Sequence, residues 1–275
     1  MRKVFMAGLR YGFLMAVAVL MVGPFVWMVS TSMKGQGEIF QYPPQWIPRD
    51  WNLRNYAAIM DVLPLGRMLI NSLTIAVSAT IGQTASCALA AYAFARMRFR
   101  GKEALYFVLL ATMMIPAQVT MIPVFLIMKF LGWIDTLYAL IVPAFFGGAF
   151  GTFLLRQFFA TIPVELEDAA RIDGAGNLRI FWRIILPLSR PALTTLAIFT
   201  FMAYWNDLLG PVIYLSSIDR ATLTIGLANL QSGAMTTRYD LLMAGSVMSV
   251  LPILALLIFG QRWFTRGIAT TGLNR

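Results

Sequence analysis

The sequence predicts an all-α integral membrane protein, a single domain over residues 1–275. It should have six transmembrane helices, both termini in the cytoplasm, and a cytoplasmic helix between the fourth and fifth spans. Three observations carry this. Hydrophobic residues make up 59% of the chain, charged residues only 12%, and mean hydropathy is +0.72, far from the balance of a soluble domain. The apolar residues fall in blocks of about 20, the length needed to cross a hydrocarbon core. Finally, 15 of the 22 Lys and Arg, but only 5 of the 12 acids, lie on the side that holds the N-terminus. The whole net charge of +10 therefore sits there, and the positive-inside rule makes that side cytoplasmic.

The first span, about 11–31, follows Arg2, Lys3 and Arg10. It is too long for the apolar core of a signal peptide and is read as a retained span. Residues 33–66 read as an aqueous loop with Pro43, Pro44, Pro48 and Pro64. Trp46, Trp51 and Tyr56 in it suit a membrane–water interface. The second span, 68–94, ends in the basic turn Arg96 to Lys102. The third, 104–128, contains Pro116 and Pro123, readable as bending points or as simple packing kinks. The fourth, 136–159, carries Gly147, Gly148 and Gly151, a small-residue surface that lets another helix approach. The fifth is 191–214, the sixth 241–264, and a short basic tail runs from 265 to 275.

Residues 160–190 form the one long polar-rich interruption with a helical pattern. Thr161 is an N-cap signal and Pro163 suits a first turn. Glu165, Glu167 and Asp168 follow near the helix N-terminus, where the macrodipole favours anions. Glu167 and Arg171 are an i,i+4 pair, and Gly174 is a natural C′ residue, so a helix of about ten residues with a hard end is expected. Ile162, Leu166 and Ala169 or Ala170 make its apolar stripe. A second amphipathic segment, Asn177 to Leu186, suits a membrane surface. On these local features alone, an ordinary loop helix between two spans is an equal reading.

The sequence contains no histidine and a single cysteine, Cys87, inside an apolar block. A disulfide within the chain and a His/Cys metal site are excluded, and Cys87 reads as a small packing residue. There is no P-loop, so no cofactor is expected on this chain, and any energy from a nucleotide would have to come from a partner. Arg and Lys lie at the ends of apolar blocks, which argues against nucleic acid. One acid stands within a span: Asp207, in Tyr204-Trp205-Asn206-Asp207. An intramembrane acid is a functional-site candidate. Asn206 adds hydrogen bonding, and Trp205 offers a flat aromatic face, so Trp205, Asn206 and Asp207 form a candidate translocation path. The other reading has Asp207 solvated near the surface or paired across helices.

Asp168-Ala169-Ala170, then Gly174, Ile184 and Leu186-Pro187 at fixed offsets, resemble the EAA loop of permease subunits of binding-protein-dependent ABC importers. The first motif acid is aspartate in place of glutamate, which keeps the charge on a shorter side chain. Further stretches resemble the carbohydrate-type, maltose-like second permease: Ala91-Tyr92-Ala93-Phe94-Ala95-Arg96, Met114-Ile115-Pro116, Trp205-Asn206-Asp207-Leu208-Leu209 and Gly267-Ile268-Ala269-Thr270-Thr271-Gly272. The resemblance implies a multi-pass subunit of a prokaryotic inner membrane that moves a sugar by alternating access. It implies four partner types: a second permease, two ATPase subunits holding ATP and Mg, a solute-binding protein outside the membrane, and the sugar. Glu165, Glu167, Asp168, Ala169, Ala170, Arg171, Asp173 and Gly174 would form the ATPase-coupling surface, and Gly267, Thr270, Thr271 and Gly272 a tail contact. A permease for glycerol phosphate or another small polar solute is the alternative. An ion-coupled secondary transporter is the reading from a different class; it calls for paired intramembrane charges.

Overall fold

Every regular element is helical among the residues described by the computed structural model, 2–232 and 238–271. The residues group into two compact units: Met1–Gly66 with Ile225–Pro252, and Arg67–Thr224 with Ile253–Arg275.

In the first unit, α1 (Arg2–Ser32) is unbroken through Pro24. The chain leaves it in a tight polar knot with α2 (Asn55–Val62). Asn55 Nδ2 donates to the carbonyls of Ser32 (2.9 Å) and Lys34 (2.8 Å), and thereby satisfies acceptors that the end of a helix leaves orphaned. Lys34 is 1% exposed; its ammonium donates to Gln45 O and lies 4.2 Å from the Trp27 ring centroid. Desolvation pulls its pKa down, partly opposed by Glu38. Trp27 meets Trp46 edge to face at 5.2 Å, so Trp46, expected as an interface marker, also packs against the knot.

The second unit is organised by α3 (Leu65–Arg96), a single 32-residue helix. It is followed by α4 (Lys102–Ala111), α5 (Ala117–Phe130), α6 (Ala149–Ala160), α7 (Glu165–Ile172), α8 (Asn177–Ile180, continued by a π turn over Phe181–Ile185), α9 (Arg190–Trp205) and α10 (Leu209–Tyr214); α6, α8 and α9 pack against it. The buried core of these packed helices joins Cys87, Ala91 and Tyr92 of α3 to Leu155, Phe159, Phe181, Ile185 and Leu196. Gly151 permits a close approach: a Cβ there would lie 2.8 Å from Cys87 Sγ and 3.0 Å from Leu196 Cδ1. This is the small-residue contact expected of the glycines near 147–151.

The two prolines of the third span, readable as bending points or as packing kinks, act differently. Pro116 starts α5 with extended backbone, and the segments Lys102–Met114 and Ala117–Phe130 meet at 102°. Pro123 lies inside α5 without breaking it. A second bend of 79° separates Asn177–Leu188 from Arg190–Trp205. The fifth span, expected to run unbroken to 214, stops at Trp205 and resumes as α10. Two further helices are α11 (Leu223–Ser232) and α12 (Tyr239–Thr271), the latter continuous through Pro252. Four helical stretches are long and apolar enough to cross a membrane: Gly8–Ser32, Leu65–Arg96, Tyr138–Ala160 and Tyr239–Gly260. Among the described residues these become up to six when each bent pair counts as one span.

Asp135 ties two connections of the second unit together. Its backbone is left-handed (φ 56°), a conformation that aspartate tolerates. Its Oδ1 accepts from the amides of Ser216 and Ser217 (3.0 Å each) and from Ser217 Oγ (2.9 Å), while Arg220 donates to its carbonyl oxygen. The Ser217 amide, followed by that of Ser216, holds the carboxyl below its usual range. A carboxylate with a depressed folded pKa stabilises the fold above its unfolded pKa of about 3.9, and that contribution fades as pH falls through the lower folded value. Hydrogen exchange, corrected for intrinsic rate, should show residues 214–220 protected at pH 6 and losing protection below about pH 4. Asp135→Ala should expose the same amides at both pH values; unchanged protection would show that Asp135 does not hold this connection.

Candidate functional site

The segment α7 is short, and both its ends are defined by backbone chemistry. Thr161, expected as the N-cap, instead donates from Oγ1 to Phe158 O (2.7 Å) and closes α6. The first turn of α7 is set by Val164, whose carbonyl accepts from the amides of Glu167 (2.9 Å) and Asp168 (3.0 Å). At the other end Gly174 has φ +79°. Its amide bonds to Arg171 O (3.0 Å) and that of Ala175 to Ala170 O (2.9 Å), the paired bonds of a Schellman ending. A Cβ on Gly174 would meet nothing within 4 Å, so the demand for glycine comes from the backbone angle alone.

One side chain anchors α7. Glu167 is 1% exposed, and its Oε1 lies 3.0 Å from Arg96 Nε at the last residue of α3. The two atoms are close enough to pair as charges but are not aligned as a hydrogen bond. Arg96 Nη2 donates to Phe159 O (2.5 Å) and to Ile162 O, in the last turn of α6 and just beyond it. Arg171 reaches back to Glu167 Oε2 (3.1 Å) and to Asp168 Oδ1 (2.9 Å). Ile162 is buried and Ala170 packs on the core. Glu165, Asp168, Ala169, Arg171, Asp173 and Gly174 are all exposed. So is Ile172, at 88%.

This differs from the sequence expectation at two residues. Leu166, assigned to the buried stripe, is 44% exposed, whereas Glu167, grouped with the coupling-surface acids, is turned into the chain. Successive helical residues are about 100° apart, and the helix has the rotation that places Glu167 against Arg96. Attraction between two desolvated charges outweighs burial of one leucine. Arg96 itself was legible only as part of a basic turn; nothing in the local pattern pairs it with a residue so distant in sequence.

The candidate translocation residues are placed less openly than expected. Trp205 is 4% exposed and stacks on Phe201 (5.7 Å between centroids, 11° between planes), so its ring is engaged within the chain. Asn206 is exposed and donates to Met202 O (2.8 Å). Asp207 is half-buried; its Oδ1 accepts from the Gly210 amide (3.2 Å) and its carbonyl from Thr224 Oγ1 (2.7 Å). It therefore closes the start of α10 where the fifth span breaks. In the tail, Gly267, Thr270 and Thr271 continue the helix α12, and Gly272 lies outside the described residues.

Two substitution sets test these assignments by thermal unfolding in detergent. Glu167→Ala leaves the Arg96 charge buried and unpaired and should cost about 3–5 kcal/mol, whereas exposed Asp168→Asn should stay within about 0.5 kcal/mol. Asp207→Asn keeps an acceptor for the Gly210 amide and should be nearly neutral, but Asp207→Ala should cost about 1 kcal/mol. Equal losses for Asp207→Asn and Asp207→Ala would show that the charge, and not the cap, matters.

Comparison with known proteins agrees with this architecture. Residues 82–270 match the family described as binding-protein-dependent transport system inner membrane component. The chain is 33% identical over 262 residues to the sn-glycerol-3-phosphate transport system permease protein UgpE of Yersinia enterocolitica, covering 93% of this chain and 92% of that protein. It is 33% identical over 258 residues to the diacetylchitobiose uptake system permease protein NgcG of Streptomyces coelicolor, covering 93% and 85%. Its fold matches a chain of a bacterial ABC transporter involved in the import of the acidic polysaccharide alginate, with a TM-score of 0.82, 24% identity and coverage of 96% and 98%. The protein belongs to the binding-protein-dependent transport system inner membrane component family and is a multi-pass permease subunit.

Proposed function

We propose that this chain is one of two permease subunits in an ATP-driven importer that takes a sugar, with a di- or oligosaccharide favoured, from an extracytoplasmic binding protein into the cytoplasm. The observation that carries the reading is α7: a short helix with a closed glycine end, anchored on one face by Glu167 and Ala170 and exposing acids and Ala169 on the other. Such a helix is a docking element for another protein.

In this reading each bent pair is one span, giving six, and the charge count puts both termini and α7 in the cytoplasm. Two ATPase subunits hold ATP and Mg, and their closure pushes on α7. The spans then rock between outward- and inward-open states. Asp168 and Glu165 supply charged contacts, Ala169 allows close approach, and the tail residues Gly267, Thr270, Thr271 and Gly272 add a second contact. Relatives named for diacetylchitobiose and for osmoprotective compounds support an organic polar solute. A second reading, import of a glycerol phosphate, is favoured by the relatives named for sn-glycerol-3-phosphate, which are 33–35% identical to this chain.

Purification of the tagged chain in mild detergent from its native host should recover a second permease and an ATPase. Gly174→Val should insert normally yet lose most of the ATPase, because a β-branched residue at φ +79° costs about 1–2 kcal/mol and opens the end of α7. The binding protein of the same system should then bind a sugar in preference to glycerol 3-phosphate. Recovery of the chain alone, under conditions that keep other membrane complexes intact, would overturn the importer reading. Preferential binding of glycerol 3-phosphate would replace the sugar.

A further inference from the structure

We propose that Arg96 is a positioning residue for coupling: its guanidinium is the joint through which displacement of α7 is delivered to α3. The inference rests on the importer reading above and adds a mechanical element to it. The apolar contacts of α7 are non-directional. Ala170 is small, and the exposed face of the helix gives no further hold within the described residues of this chain. The Arg96 contacts are different in kind. One planar group pairs with Glu167 on α7 and donates to the carbonyls of Phe159 and Ile162 where α6 ends. It therefore fixes three helix ends at one point, with side-chain exposures of 8% for Arg96 and 1% for Glu167.

A buried fork of this kind resists both sliding and rotation, because any shift of α7 must carry the guanidinium with it or leave charges unpaired in a dry site. Arg96 is the last residue of an unbroken 32-residue helix, about 48 Å long at 1.5 Å per residue. A push on α7 thus acts on the end of the longest rigid rod in its unit. The junction also has hydrogen-bonding capacity to spare. Tyr92 Oη, Arg96 Nε and Glu167 Oε1 are all buried without an aligned hydrogen bond, so the resting geometry leaves polar atoms that another arrangement can satisfy.

The test uses the complete importer in liposomes, supplied with its binding protein as isolated from the host with bound sugar. ATP hydrolysis is measured without and with the binding protein. Single neutral substitutions strand a buried charge, so the decisive variant is the double Arg96→Met, Glu167→Gln, which removes both charges and preserves volume. Arg96→Lys serves as the conservative variant: the charge remains but one ammonium cannot reproduce the fork. The joint predicts that the double variant assembles, while stimulation by the binding protein, taken relative to the variant's own basal hydrolysis, and uptake both fall at least tenfold. Arg96→Lys should be intermediate in both. Wild-type stimulation and uptake in the assembled double variant would overturn the proposal. Failure of the double variant to assemble, or an equal fall of basal and stimulated hydrolysis, would also overturn it, by assigning the pair to folding alone. Absence of an ATPase from the wild-type preparation would overturn the importer reading itself, and this proposal with it.

Discussion

The contact between Arg96 and Glu167 is the constraint on which the arrangement of the second unit turns. Taking two charges out of water is expensive, and the cost is offset only when geometry and further hydrogen bonds are good. Here the guanidinium is shared among a carboxylate and two backbone carbonyls, and the carboxylate is shared between two arginines. This sharing sets the rotation of α7. It decides which of its acids face inward and which remain for a partner.

The rest of the unit can be read as support for that junction. Gly151 lets α6 lie close to α3 and α9, so the end of α6 meets the end of α3. The core from Cys87 to Leu196 fixes these helices laterally. Asp135 and its serine partners hold a separate connection, and Asp207 closes the helix that restarts after Trp205. Each is a case of backbone groups, freed where a helix ends, being satisfied by a nearby side chain.

Membership of the transport family gives the exposed face of α7 a meaning under the proposed function, in which it is the surface where a partner imposes movement. The division of labour follows from chemistry. Glu167 and Ala170 hold the helix from within; Glu165, Asp168 and Ala169 remain available outside. Trp205, by contrast, spends its ring on Phe201, which leaves Asn206 as the exposed member of that candidate path.

Much was legible in the sequence because the signals were local. The helical class and the apolar spans follow from hydropathy blocks, and the stop of α7 from Gly174, whose left-handed backbone angle disfavours other side chains. The sequence alone also pointed to the family, through residues spread over most of the chain. What only the tertiary structure decided was long-range. Pro116 and Pro123 look alike in the sequence, yet only Pro116 begins a new helix. The stripe on α7 was misassigned by one residue because periodicity prefers Leu166 inside, whereas the field of a buried arginine prefers Glu167. Local propensity cannot contain that preference: the partner is dozens of residues away, and the attraction exists only after folding has removed the water between them.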